Sequence, residues 1–137
     1  MIQWIRNVAL FDGLSDKQLE HVYKIANSRS YAPGTVLFHE KEPGSTFYIV
    51  LSGSVKLFTR SSSGEEKVLT VAAAGDSFGE LALLDGRPRS ASAQTLESTL
   101  VLEISYHDFM ALLEAHFDIT RGILSELCNR LRETNEH

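Results

Sequence analysis

Glycines recur roughly every ten residues through the middle of the sequence, at positions 34, 44, 53, 64 and 75. This rhythm is typical of short β-strands joined by turns. The strand-like runs between and after the glycines predict strands at 35–39, 46–51, 54–60, 66–72, 91–96 and 99–104. Their apolar and polar residues alternate imperfectly, which indicates that some strands are buried on both faces. We therefore expect a mainly β fold with flanking helices, a double-stranded β-helix (jelly-roll) barrel.

Helical patterns lie on both sides of the predicted barrel. Ser15 and Gln18 form an S-x-x-Q capping box, and apolar residues follow at helical spacing until a turn at 32–34. After the strands, Ser105 is suited to cap one helix and Asp118 to cap a second. The expected organisation is a single domain, 1–137, made of an N-terminal helical segment (1–33), the barrel (34–104) and C-terminal helices (105–137).

Composition excludes several classes of function. A chain of 137 residues that is 43% hydrophobic has the size of one globular domain with one core. It has neither a membrane-spanning apolar run nor a recognisable signal peptide, so we expect a cytoplasmic protein with no membrane partner. The formal net charge of −5 disfavours direct binding of DNA.

The residue types that carry catalysis or bind metals show no suitable spacing. The five histidines lack the spacing of metal ligands, and no nucleophile elbow is present. The single cysteine, Cys128, cannot form an intrachain disulfide, has no base paired with it, and is expected to be a small buried hydrophobe. We therefore expect no metal, no cofactor and no enzymatic activity.

The strongest chemical signal is the segment 78–93, FGELALLDGRPRSASA. Gly79 lets backbone approach a ligand closely, and a helical turn that starts there would point free N–H groups at a phosphate. Arg89 adds a permanent charge that can grip two phosphate oxygens. The Glu80 carboxylate would repel a phosphate and suits a sugar hydroxyl, so together these residues indicate a nucleotide. Spacing alone leaves open that the segment is an ordinary surface helix followed by a loop.

This segment closely resembles the phosphate-binding cassette of cyclic nucleotide-binding domains, found in the catabolite activator family, protein kinase A regulatory subunits and cyclic nucleotide-gated channels. Glu80 and Arg89 stand nine positions apart (89 − 80 = 9), as in the eukaryotic-type cassette. The resemblance implies that Glu80 binds the ribose 2′-hydroxyl and Arg89 the exocyclic oxygens of the cyclic phosphate. It also implies that the backbone N–H groups of Leu81, Ala82 and Ala91 complete the phosphate cradle.

Other positions bear on the identity of the ligand. Ser90 stands where family members carry Ala, Ser or Thr, and its hydroxyl could bond the phosphate or meet the amino group of a guanine. That residue leaves cAMP and cGMP both open, and we favour cAMP. Leu69, Val71 and Phe78 are further candidate ligand-binding residues.

The last predicted helix carries a short apolar stripe, in which Leu124, Leu127 and Leu131 lead to Thr134. Periodicity does not decide whether the stripe pairs with another helix or packs on its own barrel. The closing NRLRETNEH is similar to the end of the dimerisation helix of bacterial catabolite activators, where a Thr and a small polar residue meet the adenine edge. The resemblance implies this role for Thr134 and Asn135, and a homodimer formed through the helix.

We therefore expect the sensor domain of a CRP/FNR-type transcription regulator, with a cyclic purine nucleotide as its ligand. Ligand binding would shift the population of arrangements of the C-terminal helix. DNA would be contacted only by a domain outside this chain. Two alternatives remain: a regulatory module of a kinase, channel or other effector, and an interaction domain that keeps the barrel but binds no cyclic nucleotide.

Overall fold

The computed structural model describes residues 5, 8, 11–79 and 86–135. The helices with both bounds inside these ranges are α1 (Asp16–Lys24), α2 (Tyr106–Ala115) and α3 (Phe117–Asn135). Between α1 and α2 the described strands are β1 (Asn27–Tyr31), β2 (Val36–Phe38), β3 (Thr46–Ser52), β4 (Ser54–Arg60), β5 (Glu66–Ala73), β6 (Ser77–Phe78), β7 (Ser92–Thr95) and β8 (Thr99–Ser105).

The strands form two four-stranded sheets, with the orders β1-β8-β3-β6 and β2-β7-β4-β5. All the strand pairs are antiparallel. The chain changes sheet at every step from β1 to β8 except between β4 and β5, which form a hairpin. This arrangement confirms the predicted jelly-roll architecture of a mainly β domain with flanking helices.

Strand β3 separates two apolar cores, because successive side chains of a strand point to opposite faces. Phe47 lies in a helix-side core, where its ring meets that of Phe11 edge-on at a centroid distance of 6.0 Å. The next residue, Tyr48, belongs to a second core between the two sheets, the interior core. The expectation of strands buried on both faces is thereby met by β3, where four consecutive residues are buried.

The barrel begins earlier than expected. Strand β1 (Asn27–Tyr31) lies inside the segment 1–33 that was expected to be helical, and it pairs along its whole length with β8. The predicted boundary at residue 34 is therefore wrong. The reason is that the NSRSY strand is mostly polar and exposed, so its backbone hydrogen bonds to β8, rather than an apolar pattern, make it a strand. The two-residue strand β6 was also not predicted.

Two predicted helix caps are confirmed by hydrogen bonds. The Ser15 hydroxyl accepts from the Gln18 amide N–H at 3.2 Å, and the Gln18 side chain accepts from the Ser15 N–H at 2.8 Å. Ser105 caps α2, because its hydroxyl accepts from the amide of Asp108 at 3.1 Å. Each cap satisfies donors that a helix leaves free at its first turn.

The prediction that Asp118 caps the last helix is wrong. Helix α3 begins at Phe117, so Asp118 lies in its first turn. Its carboxylate accepts from the Gln18 side-chain amide at 2.8 Å and so links α3 to α1. That hydrogen bond lowers the pKa of the Asp118 carboxyl.

The expectation that Cys128 is buried is also wrong, because its side chain is exposed. Ile119 and Ile123 are the buried residues of α3, and Leu127, four residues on, packs partly against the same core. Position 128 is rotated by about 100° from 127 around the helix axis, which turns the thiol away from that core.

Within the described ranges, none of the helices has the length and apolarity needed to cross a membrane.

Two glycines with nearly the same backbone torsion provide a test of how the turn after β3 packs against the residues at the start of β8. Gly53 has φ +90°, and a Cβ there would lie 2.6 Å from the Ser98 carbonyl oxygen. Gly64 has φ +89°, and a Cβ there would meet no described atom within 4 Å. Gly64→Ala should lower the free energy of unfolding by about 1–2 kcal/mol, from torsional strain alone. Gly53→Ala should lower the free energy of unfolding by about 1–3 kcal/mol more than Gly64→Ala does. Urea denaturation measures both values. Equal losses in the two variants would contradict the close contact between Gly53 and Ser98.

Candidate ligand-binding site

Arg89 is a buried arginine in the loop before β7, with 6% of its surface exposed. Its Nη2 group donates to the carbonyl oxygen of Thr46 at the start of β3. Its Nε and Nη1 atoms are buried and have no hydrogen-bond partner among the described residues. Because a buried cation with unpaired donors is unfavourable, this guanidinium is suited to receive an anion.

The backbone around Arg89 fixes the start of its side chain. The Arg89 N–H donates to the Glu42 carbonyl, and the Lys41 N–H donates to the Arg89 carbonyl, each at 2.8 Å. Lys41 itself has φ +74°, a left-handed conformation that is unfavourable for a residue with a Cβ. Both polar backbone groups of Arg89 are thus anchored to the loop between β2 and β3.

Gly79 lies directly against the Arg89 side chain. It has φ +84°, and a Cβ at this position would lie 2.5 Å from Arg89 Nη1 and 3.2 Å from the Thr46 carbonyl oxygen. A glycine is therefore needed both for the torsion and for the space that the guanidinium occupies. Gly79 was expected to allow close approach to a ligand, and the group that approaches it here is Arg89.

Two aromatic rings lie near the guanidinium, and a third ring stacks on one of them. Its Cζ lies 4.1 Å from the ring centroid of Phe38 and 6.0 Å from that of Tyr48. Phe78 stacks on Tyr48 with centroids 5.0 Å apart and 13° between the ring planes. Sequence analysis included Phe78 but missed Phe38 and Tyr48, because aromatic residues in strands are ordinarily core residues.

Burial dominates the electrostatics of the site. Burial lowers the pKa of Arg89, and the nearby Tyr48 and Glu42 oppose that change. An arginine keeps its proton in proteins, so the site carries a fixed positive charge in a low-dielectric environment. Burial also raises the pKa of Tyr48, with a further contribution from Glu103, its partner in register on β8.

Several predicted site residues lie outside the part of the chain that the structure describes. Glu80, Leu81 and Ala82 fall in the gap between 79 and 86, and the side chain of Asn135 lies outside it as well. Their expected roles stay predictions.

The described residues that flank Arg89 differ in exposure. Ser90 is exposed, and Ala91, just before β7, is buried. An exposed hydroxyl beside a buried guanidinium leaves Ser90 accessible to a ligand. The roles expected for Ser90 and Ala91 also stay predictions.

Leu69 and Val71 lie on β5 and are about half exposed, at 52% and 45%. Val71 is opposite Lys56, whereas Thr70 is opposite Leu57 and so shares the face of the interior core. The register shifts at this point, which makes Leu69 the extra residue of a β-bulge. The register thus puts Val71 on the face opposite to the interior core, and the ligand contact expected for Leu69 stays a prediction.

The turn that leads to Gly79 borders a recess of about 330 Å³. Leu57 and Thr70, which sequence analysis did not select, belong to its wall. Val71 also lines this recess, so its contact with a ligand stays a prediction. The signal that could have found Thr70 is the cross-strand register, which the sequence does not reveal.

The end of α3 is exposed. The Thr134 hydroxyl donates to the carbonyl of Arg130, one turn back, at 3.0 Å. Leu127 packs partly against the helix-side core, whereas Leu124 and Leu131 are 55% and 64% exposed. The apolar stripe is thus divided, with one residue used within the domain and two available to another surface.

No described cluster of three or more His, Cys, Asp or Glu side chains could hold a metal ion.

Comparison with known proteins places this site in a family. The model of the "Cyclic nucleotide-binding domain" family matches residues 28–116. The cyclic AMP receptor protein of Thermus thermophilus is 33% identical over 126 residues, which cover 92% of this chain and 58% of that protein. A CRP-like cAMP-activated global transcriptional regulator of Mycobacterium tuberculosis is 29% identical over 137 residues, covering 100% of this chain and 61% of that protein. The chain thus spans about three fifths of these relatives.

Solved structures give the same result. The N-terminal domain of a transcriptional regulator from Streptomyces coelicolor has a TM-score of 0.86 at 33% identity, with 93% of this chain and 90% of that chain covered. The catabolite activator protein of Thermus thermophilus has a TM-score of 0.76 at 33% identity, with 93% and 60% covered.

The regulatory domain of Toxoplasma gondii PKA, crystallised with cAMP, has a TM-score of 0.76 at 32% identity, with 81% and 42% covered. These relatives are described as a receptor protein, a transcriptional regulator and a regulatory domain, in agreement with the expectation that the chain is not an enzyme. The family match over residues 28–116 and the similarity to CRP-type regulators show that this chain belongs to the cyclic nucleotide-binding domain family.

Proposed function

We propose that this chain binds a cyclic purine nucleotide, cAMP in preference to cGMP, as the sensor domain of a CRP/FNR-type transcription regulator. The observation that carries the proposal is the Arg89 guanidinium, which is 6% exposed and has two nitrogens without a described partner. A cyclic phosphate carries one negative charge and exposes two oxygens, so it can neutralise this cation and accept from it. Glu80, at the other end of the cassette, takes the ribose hydroxyl.

The preference for cAMP is supported by the relatives. The Thermus and Mycobacterium proteins are described as a cyclic AMP receptor and a cAMP-activated regulator, and the Toxoplasma domain was crystallised with cAMP. In this chain the exposed Ser90 can serve either base. Discrimination between the bases then depends on Thr134, whose exposed hydroxyl can exchange its bond to the Arg130 carbonyl for a bond to the adenine edge.

The signalling mechanism that we propose is a population shift of α3. A ligand held by Arg89 and touched by Thr134 favours one arrangement of the helix, because only differential contacts can shift an equilibrium. Leu124 and Leu131, which are exposed, then form the seam of a homodimer. DNA is contacted by a domain outside the single sensor domain 1–137, and the location is cytoplasmic.

One alternative has support of its own. The likeness to the Toxoplasma PKA regulatory domain fits a regulatory module of a kinase, channel or other effector equally well at the level of fold. The gene sequence beyond position 137 discriminates these functions: a helix-turn-helix pattern supports a transcription regulator.

Removal of the Arg89 guanidinium tests the proposal most directly. Hydrogen bonds to a charged group contribute roughly 1.5–3 kcal/mol each, so Arg89→Ala should weaken cAMP binding about a hundredfold or more. Calorimetry with cAMP measures the loss of affinity. A thermal-shift panel of cAMP, cGMP, AMP and cyclic dinucleotides shows which nucleotides stabilise the protein.

Arg87→Ala is the matched control for Arg89→Ala, because Arg87 lies two residues away in the same loop but is exposed. Its affinity for cAMP should remain within about twofold of the wild type. Unchanged affinity in Arg89→Ala would reject the cassette interpretation. If no cyclic nucleotide stabilises the wild-type protein in the thermal-shift panel, the alternative of an interaction domain that binds no cyclic nucleotide would be favoured.

Gly79→Ala should separate binding from stability. The added Cβ would displace Arg89 Nη1, which is the end of a flexible side chain and can move. Unfolding free energy should therefore fall only by about 1–2 kcal/mol, as in Gly64→Ala, whereas cAMP affinity should fall by about tenfold or more. Urea denaturation and calorimetry on both variants measure the two effects. An affinity equal to that of Gly64→Ala would show that the position of Arg89 does not govern binding.

Thr134→Ala tests base recognition by α3. It should weaken binding of cAMP more than binding of cGMP, by about five- to tenfold for one neutral hydrogen bond. Ser125→Ala removes an exposed hydroxyl from the same helix and should leave both affinities unchanged. Parallel titrations of the two nucleotides measure the ratio. Equal losses for both ligands would remove Thr134 from base recognition.

A further inference from the structure

We propose that Phe38 is a positioning residue that holds the Arg89 guanidinium in the orientation needed by the anionic group of the ligand. This inference rests on the proposed function and adds a residue to its binding site. Phe38 ends strand β2, in the sheet opposite to the one that contains Thr46, and its ring centroid lies 4.1 Å from Arg89 Cζ. The guanidinium is therefore held between a carbonyl from one sheet and an aromatic ring from the other.

The ring supplies a restraint that hydrogen bonds do not. Among the described residues only the Thr46 carbonyl accepts from the guanidinium, through Nη2, and a single hydrogen bond permits rotation of the group. A cation over the face of an aromatic ring is attracted by the ring quadrupole, and the attraction is strongest where water is excluded. At 6% exposure Arg89 meets that condition. Phe38 thus fixes the guanidinium while Nε and Nη1 remain available.

Phe38 is itself held by two other rings. Its centroid lies 5.8 Å from that of Tyr48 and 6.0 Å from that of Phe78, and these two rings stack at 5.0 Å. Phe78 immediately precedes Gly79, so the cluster contacts both the start of the cassette and Arg89 near its end. A guanidinium placed before the ligand arrives reduces the entropy lost on binding.

The competing explanation is that Phe38 only fills space in the interior core, against which it packs. Under that explanation any apolar side chain of similar size would serve, and the affinity for cAMP would not depend on the aromatic face. Phe38→Leu removes the aromatic face and keeps apolar bulk. Phe38→Tyr keeps the face. Phe47→Leu makes the same change on the other side of sheet β1-β8-β3-β6, in the helix-side core, and is the matched control.

The first measurement uses the ligand-free protein. Protons above an aromatic ring are shifted upfield, so the Arg89 Hε resonance, assigned through its loss in Arg89→Lys, reports whether the guanidinium lies over the ring. It should move downfield in Phe38→Leu and stay in place in Phe38→Tyr and Phe47→Leu. Phe38→Met, also apolar and not aromatic, replaces Phe38→Leu should the latter not fold. An unchanged resonance in the folded Leu or Met variant would overturn the proposal.

The second measurement is calorimetric titration with cAMP. Phe38→Leu should bind about tenfold more weakly than the wild type, equivalent to about 1.4 kcal/mol, with Phe38→Tyr and Phe47→Leu within about twofold. Equal affinity of the wild type and Phe38→Leu would overturn the positioning role. If the wild type binds no cyclic nucleotide, the proposed function fails and the positioning of Arg89 for a ligand fails with it. The resonance of Arg89 then still decides whether the guanidinium lies over the Phe38 ring.

Discussion

A positive charge buried between two sheets is the interaction on which the rest of this domain depends. The Arg89 guanidinium is accommodated because a backbone carbonyl from Thr46 accepts from it and Phe38 offers its ring face. Gly79 leaves the space that any other residue would fill. A buried charge is costly unless it is paired, so the domain keeps an arrangement that is completed by an anion.

Strand β3 lies between the buried charge and the helices. Tyr48 lies near Arg89 in the interior core, and its neighbour Phe47 packs in the helix-side core with Phe11 and Phe109. The two cores are therefore separated by the thickness of one strand. Strand β3 therefore contacts both the site and the helical layer. The exposed end of α3 is the element that we propose to respond.

Much of the fold could be predicted from the sequence, because turn glycines and strand-like runs are local signals. Strand β4 (Ser54–Arg60) has the predicted bounds, and the caps at Ser15 and Ser105 are as predicted. The errors have a non-local origin. Strand β1 (Asn27–Tyr31) exists because β8 pairs with it, and the exposure of Cys128 depends on how α3 is rotated against the core.

The same limit applies to the site. Arg89 and Gly79 stand out by residue type, since a charge and a glycine in one short segment are informative without a structure. Phe38 does not, because only the tertiary fold brings the end of β2 beside the cassette. Val71 and Thr70 differ by one position along β5, and the register with β4 decides which of them shares the face of the interior core.

The central claim is that the charge of the ligand, met by Arg89, carries the binding. Calorimetric titration of the wild-type protein with cAMP and with adenosine, which keeps the base and sugar but lacks the phosphate, tests it most directly. Our account predicts that cAMP binds at least about a hundredfold more tightly than adenosine, because only cAMP satisfies the buried donors. Comparable affinities for the two ligands would contradict it.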